Sequence, residues 1–249
     1  VAAIRAAQLG KKIAIIESNH LGGICLNWGC IPTKALLKNA EVFETIKNAK
    51  KYGINIENIS VDWSKIIKRS RDVSMRLSKG IEYLIKKNNI DYIPAVGKIK
   101  DPSTVIAEKS NGNKSEYFTD SIIIATGARP KYFPGIEPDG NQIITSKEAM
   151  ILKEQPKSLA IIGAGAIGVE FAHFYQTFGT DVTLIEALPS ILPIEDESIS
   201  KELEKIFSKR NINILTNTIV EKLEKKASKV KIYLQEGEPI NAEKVLIAI

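Results

Sequence analysis

The chain has 249 residues, 44% hydrophobic and 26% charged, enough to bury a core and to build one large or two ordinary domains. Two cysteines are too few for a disulfide-built secreted scaffold, and no run reaches the ~18 unbroken apolar residues of a membrane span. The 35 Lys+Arg exceed the 29 Asp+Glu, but they are interleaved with glutamates, as in KLEKKASKVKIYLQE, without the aromatic-studded basic stripe of a nucleic-acid binder; the expectation is a cytoplasmic chain with neither nucleic acid nor membrane as a partner.

In chain order, VAAIRAAQLGKK is an Ala-rich helix stopped at Gly10, followed by the strand IAIIE, which ends in Glu17. A helix feeding a strand with a terminal acid is the second half of a βαβ unit. Its first strand and glycine turn are expected upstream, VLIAI at the other end reads as a strand that continues, and the chain is expected to be an internal fragment of a longer protein. GGICLNWGCIP, residues 22–32, places both cysteines in a loop. Pro32, at a first-turn position, opens a helix through KALLKNAEVFETIKNAKKYG, and a second helical run extends from Trp63 to Lys87. Short strands are expected in IDYIPAVGKI, TVIAE and SIIIATG, parted by DPS and NGN turns. A connector with Pro and Gly, GARPKYFPGIEPDG, then leads into a second strand, glycine turn, helix and strand, SLAIIGAGAIGVEFAHFYQTFGTDVTLIEA. The same fold starts twice. This predicts an α/β chain of two three-layer, Rossmann-like dinucleotide-binding domains, over residues 1–140 and 141–249.

Gly163, Gly165 and Gly168 form G-x-G-x-x-G directly after an apolar strand and at the start of an amphipathic helix. The first glycine permits the tight turn, the second lets a pyrophosphate approach the backbone, and the third lets helix and sheet lie close, while the helix N-terminus offers unpaired N–H groups. Ala164, Ala166 and Ile167 complete the turn. Glu186 ends the next strand, where a carboxylate accepts hydrogen bonds from ribose hydroxyls and repels a 2'-phosphate; the following ALPS supplies no arginine, so NAD is favoured over NADP. By the same logic Glu17 would hold the ribose of a second dinucleotide.

A dithiol passes two electrons by thiol–disulfide exchange and nicotinamide passes two as hydride, and flavin can exchange with both, so the first dinucleotide is read as FAD. Cys30 stands two residues before Pro32, at a helix N-terminus whose partial positive charge favours a thiolate, and Lys34 adds a full charge one turn on. Other readings of the pair stay open. A structural disulfide would need an oxidising compartment, and a zinc site would need two more ligands, for which the chain offers only His20 and His173; no metal is expected. His173 is read as a helix residue without chemistry, Glu41 and Glu44 as a solvated face, and Trp28 as touching either substrate or its own loop.

LGGICLNWGCIPTKALL resembles the active-site signature of the class I flavoprotein disulfide reductases, G-G-x-C-x-x-x-x-C-x-P-x-K, and its CLNxGCIP[ST]KALL form is similar to the dihydrolipoyl dehydrogenase branch of that family. IIIATGARP resembles the family's FAD-contacting segment and GAGAIGVEFA its NAD turn, so the likeness extends over essentially the whole chain. The resemblance implies that Cys25 is the interchange thiol that attacks substrate and Cys30 the thiol beside the flavin. It implies that Lys34 lies near the flavin N5 and pairs with Glu170 near the nicotinamide. Gly22, Gly23, Ile24, Gly97, Thr126, Gly127 and Ala128 would then contact FAD, and Val220 the NAD adenine. It also implies a homodimer completed by a C-terminal interface domain that is absent from these residues, together with its His-Glu base pair. The substrate would be the dihydrolipoyl group of an E2 acyltransferase or of an H-protein. A mercuric- or glutathione-reductase-like activity, or a non-catalytic nucleotide-binding module, are the alternatives.

Overall fold

The computed structural model describes all 249 residues. In order the chain forms α1 (Ala2–Gln8), β1 (Ala14–Ile16), α2 (Gly23–Trp28), α3 (Cys30–Lys47), a 3-10 turn (Ala49–Tyr52), α4 (Trp63–Lys87), β2 (Asp91–Ile93), β3 (Val96–Asp101), β4 (Thr104–Glu108) and β5 (Lys114–Phe118). There follow β6 (Ile143–Thr145), α5 (Ser146–Ala149), β7 (Ser158–Ile162), α6 (Ala166–Thr177), β8 (Asp181–Ile185), α7 (Glu197–Lys209), β9 (Asn213–Leu215), β10 (Val220–Lys225), β11 (Val230–Leu234), β12 (Ile240–Ala242) and β13 (Lys244–Ile247). Two compact units result, Val1–Asn27 with Asp72–Ala128, and Trp28–Arg71 with Arg129–Ile249.

In the first unit β1 and β2 pair in parallel, Ala14 opposite Asp91 and Ile16 opposite Ile93, while β3, β4 and β5 form an antiparallel meander. Alternation along β1 sends its residues to two cores. Ile15 packs with Ile4, Ala7, Ile85 and Ile90, and Ile16 with Ile93, Ala95 and Ala107.

The second unit is built on a five-stranded parallel sheet in the order β6-β13-β7-β8-β9. Its central strand β7, SLAII, is buried along almost its whole length, as a strand covered on both faces must be. Leu159 and Ile161 face the helical layer, with Phe171, Phe174 and Tyr175 of α6; Ala160 and Ile162 face the antiparallel sheet β10-β11-β12, with Leu223, Val230 and Ile232. Tyr175 is wholly buried, and its hydroxyl donates to the Ala149 carbonyl at 2.6 Å, which satisfies the one polar atom the ring brings inside. Asp62 caps the first turn of α4 by accepting from Lys65 N at 3.1 Å, and Asp196 caps α7 by accepting from Ser198 N at 2.8 Å.

Helix α3 packs on α6 through Leu36 and Ala40, and the stacked rings of Phe43 and Phe178 lie 5.1 Å apart. Lys34 of α3 meets Glu170 of α6, and further along both helices Glu44 meets Thr177. Residue numbers rise together along the contact, so α3 and α6 run parallel and begin at the same end of the layer.

Two local expectations are corrected, and one strand is found where none was expected. The cysteine loop is helical, forming α2 up to Trp28 and resuming as α3 at Cys30. SIIIATG forms no strand, since residues 121–127 pair with none, and Ile123 and Ile124 are 72% and 71% exposed. KSEYF, too polar to stand out as a strand, is β5, held by pairing with β4 from Thr104 opposite Phe118 to Glu108 opposite Lys114.

Candidate active site

The glycine turn between β7 and α6 is organised by close backbone approach. Gly163 has φ of +102°, and a Cβ there would lie 2.5 Å from the Ala248 carbonyl oxygen; a Cβ on Gly168 would lie 2.0 Å from the carbonyl oxygen of Gly163. These two glycines are required by packing. Gly165, the N-cap of α6, has nothing within 4 Å of an added Cβ, so its face is open to a ligand. The first N–H groups of α6 have no partner within the helix, and an open, glycine-faced helix start suits a pyrophosphate. Ala164, Ala166 and Ile167 complete this rim, with Ile167 nearly half exposed and Ala164 fully buried.

Glu186, immediately after β8, is 8% exposed and carries two backbone hydrogen bonds: Oε2 accepts from Ala164 N at 2.8 Å and Oε1 from Leu188 N at 2.9 Å. The carboxylate thus ties the end of β8 to the glycine turn. Each oxygen retains a second acceptor site, so the group is compatible with a ribose hydroxyl. Thr218 N donates to the Glu186 carbonyl at 2.9 Å, which brings the start of β10, and with it the half-buried Val220, to the same end of the sheet.

The start of α3 belongs to the same unit. Gly29 is its N-cap, and Thr33 turns back so that its N–H and Oγ1 both donate to the Gly29 carbonyl, at 3.1 and 2.8 Å. Cys30 is the first helical residue, where the helix dipole favours a thiolate on reduction. Both cysteines are disulfide-bonded and none is free. Lys34 Nζ, one turn beyond Cys30, donates to Glu170 Oε1 at 2.5 Å. Trp28, just ahead, carries the Arg71 guanidinium 4.1 Å and the Lys147 ammonium 4.9 Å from its ring centroid, so the ring has cationic company within its own unit.

In the first unit Glu17 follows β1, and its Oε1 accepts from Asn19 N at 2.7 Å. Gly97 on β3 faces Ile16, with an added Cβ 3.5 Å from Ile16 Cγ2. Gly22, Gly23 and Gly127 have φ of +99°, +76° and +77°, conformations that favour glycine. Thr126, Gly127 and Ala128 lie outside any helix or strand, and Ile24 is 49% exposed on α2.

Two sets of residues went unread in the sequence. Asn27 is buried inside the cysteine segment; its Nδ2 donates to Leu21 O at 3.0 Å and Gly23 O at 2.9 Å, and its Oδ1 accepts from Ser78 Oγ at 2.8 Å. The buried Ser74, one turn earlier on α4, donates to Leu26 O. An amide between two cysteines was the available signal, but Ser78, its partner from α4, lies 51 positions away. Glu44, expected on a solvated face, is instead gripped by both Nη atoms of Arg210, the second at 3.0 Å, and Arg210 Nη1 also lies 3.0 Å from His173 Nδ1. Burial opposes ionisation of Glu44, but the hydrogen bonds and charge of Arg210 prevail and hold its carboxyl below the usual range. Burial, then the Arg210 charge, hold the His173 imidazole below its ordinary value. No cluster of His, Cys, Asp and Glu is arranged to bind a metal, and no helix is long and apolar enough to cross a membrane.

Residues 1–249 match the family model described as pyridine nucleotide-disulphide oxidoreductase. The chain belongs to this family. Among pyridine nucleotide-disulphide oxidoreductase relatives, it is 43% identical to the dihydrolipoyl dehydrogenase of Rhizobium etli over 268 residues, covering 100% of this chain and 56% of that protein. It is 46% identical to the dihydrolipoyl dehydrogenase of Zymomonas mobilis, covering 90% of this chain and 48% of that one. The chain thus spans about half the length of the curated relatives it matches. Among solved structures, LpdA from Mycobacterium tuberculosis superposes with a TM-score of 0.92 at 22% identity, over 99% of this chain and 54% of that one, a likeness of fold. The HOCl-induced flavoprotein disulfide reductase RclA from Escherichia coli superposes with a TM-score of 0.83 at 29% identity, over 99% of this chain and 52% of that one.

Proposed function

We propose that this chain is the dinucleotide-binding half of an NAD-dependent dihydrolipoyl dehydrogenase. The observation that carries the reading is an oxidised cysteine pair at the start of a helix whose Lys34 is bonded to Glu170, in a chain 40–46% identical to proteins of that name.

In this reading residues 1–140 hold FAD through Glu17, Gly22, Gly23, Ile24, Gly97, Thr126, Gly127 and Ala128. Residues 141–249 hold NAD on the 163–168 turn, with Glu186 at the ribose and Val220 at the adenine. The bound cofactors supply the two-electron route that reoxidises the cysteines. A dihydrolipoyl thiolate attacks the protein disulfide at Cys25, the Cys25–Cys30 bond breaks, and Cys30 leaves as a thiolate steadied by the start of α3. The second substrate thiol, losing its proton, closes the lipoyl disulfide and releases Cys25. The protein pair gains the two electrons that the substrate loses. Lys34, held by Glu170, places a positive charge beside this site.

The donor would be the dihydrolipoyl group of an E2 acyltransferase or an H-protein, and the working form a homodimer. A reducing compartment such as the bacterial cytoplasm suits a pair that must cycle between disulfide and dithiol.

The test is a visible spectrum and two assays on the full-length protein. A flavin spectrum with dihydrolipoamide-dependent reduction of NAD, far weaker with NADP, is expected. A flavin-free protein, or turnover with glutathione or mercuric ion in place of dihydrolipoamide, would overturn it.

A further inference from the structure

The contact of α3 on α6 is largely apolar, and apolar packing is non-directional, so it resists separation better than it resists sliding. A slip of one helical turn displaces a side chain by about 5.4 Å. The Lys34–Glu170 pair does little to oppose such a slip, because the lysine side chain is 60% exposed and its ammonium is a point charge on a flexible stem. Ten residues further along α3, Glu44 is held differently. Both its oxygens meet the planar fork of Arg210, and Thr177 Oγ1 of α6 donates to Oε1 at 3.3 Å. Arg210 is the C-cap of α7 and is itself fixed: Gln176 Nε2 of α6 donates to its carbonyl at 2.6 Å, and His173 Nδ1 lies 3.0 Å from Nη1. A bidentate pair between a carboxylate and an anchored guanidinium is specific in both distance and direction.

We propose that Glu44 and Arg210, steadied by His173 and Gln176, are positioning residues that lock α3 in register on α6 and so hold Lys34 opposite Glu170. The inference rests on the reading above, in which that pair serves electron transfer between nicotinamide and flavin. Reactive groups displaced by about 1 Å lose rate steeply, so a remote register lock has kinetic consequences.

The experiment uses the full-length holoenzyme and follows single-turnover reduction of the flavin by NADH, with amide hydrogen exchange across residues 30–47 as a readout independent of activity. Glu44→Gln and the charge-conserving Arg210→Lys, which loses only the fork, are each expected to slow flavin reduction by about 10-fold and to raise exchange in α3. Placed in a Glu170→Gln background, either change is expected to slow the step by less than about 2-fold further, because both act through one pair. Arg210→Lys carries the test if Glu44→Gln fails to fold. Wild-type flavin reduction in both clasp variants, or full multiplication of their effects with Glu170→Gln, would overturn the proposal. Wild-type flavin reduction in Glu170→Gln itself would instead overturn the role given to the Lys34–Glu170 pair, whatever the clasp variants do.

Discussion

Lys34 and Glu170 stand 136 positions apart in the chain and meet at 2.5 Å, joining the helix that begins at Cys30 to the helix that begins at the glycine turn. The Lys34 side chain is 60% exposed and that of Glu170 28%, so water screens the pair from the lysine side, and pairs at the surface contribute about 0–1 kcal/mol to stability. Lys34→Met and Glu170→Gln are therefore expected to shift thermal unfolding by no more than a few degrees while slowing flavin reduction by NADH about 10-fold or more. Melting curves beside stopped-flow traces check this, and large losses of stability would recast the pair as structural.

Asn27→Asp keeps the shape of the side chain but replaces two N–H donors aimed at Leu21 O and Gly23 O with an acceptor oxygen. Buried donors lost in this way cost about 1–3 kcal/mol. Ser78→Ala, which removes one bond to the same amide, is expected to cost less. Urea unfolding of the three proteins gives the ranking, and equal stability of Asn27→Asp and wild type would mean the clamp contributes nothing.

The glycines of the turn separate packing from binding. Gly168→Ala forces a Cβ to within 2.0 Å of a carbonyl oxygen and is expected to destabilise the unit by several kcal/mol or to prevent folding. Gly165→Ala meets no protein atom within 4 Å and has no positive φ, so stability is expected to stay within about 0.5 kcal/mol of wild type while NAD affinity falls. Calorimetric titration of NAD against Gly165→Ala decides it; unchanged affinity would place the pyrophosphate elsewhere.

His173 and Glu44 predict a loss of stability in acid. The imidazole titrates below its ordinary value of about 6.5 when folded, so above that pH both folded and unfolded forms are neutral and no penalty exists. As pH falls through 6.5 the unfolded chain takes a proton that the folded one refuses, and stability drops until the folded value is passed. The lowered carboxyl of Glu44 contributes stability that is present above the ordinary carboxylate range and is lost at still lower pH. His173→Gln is expected to flatten the profile just below pH 6.5 and to leave the lower limb intact. Superimposable profiles for variant and wild type would refute the first part.

The two cysteines are expected to differ by role. Cys25→Ser should leave a Cys30 thiolate at the start of α3 and a long-wavelength charge-transfer band with the flavin, whereas Cys30→Ser should show none. Visible spectra of the two full-length variants check the assignment, and identical spectra would refute it.

What the sequence determined by itself is what depends on neighbours in the chain. The glycine turn, the helix from Trp63 to Lys87 and the strand SLAII are set by side-chain size and periodicity over a few residues, and they stand where those patterns put them. Even so, a local pattern failed where its outcome needed a distant partner: SIIIATG has a strand's composition, yet no neighbouring strand takes up its backbone hydrogen bonds. Only the tertiary structure decided which side chains meet. Glu44 could be read as a solvated helix residue because Arg210, which holds it, lies 166 positions away, and Asn27 could be read as part of a loop because Ser78 lies 51 positions away. Hydrogen bonds and ion pairs act over a few ångströms of space, and the chain does not record spatial distance until folding has brought these positions together.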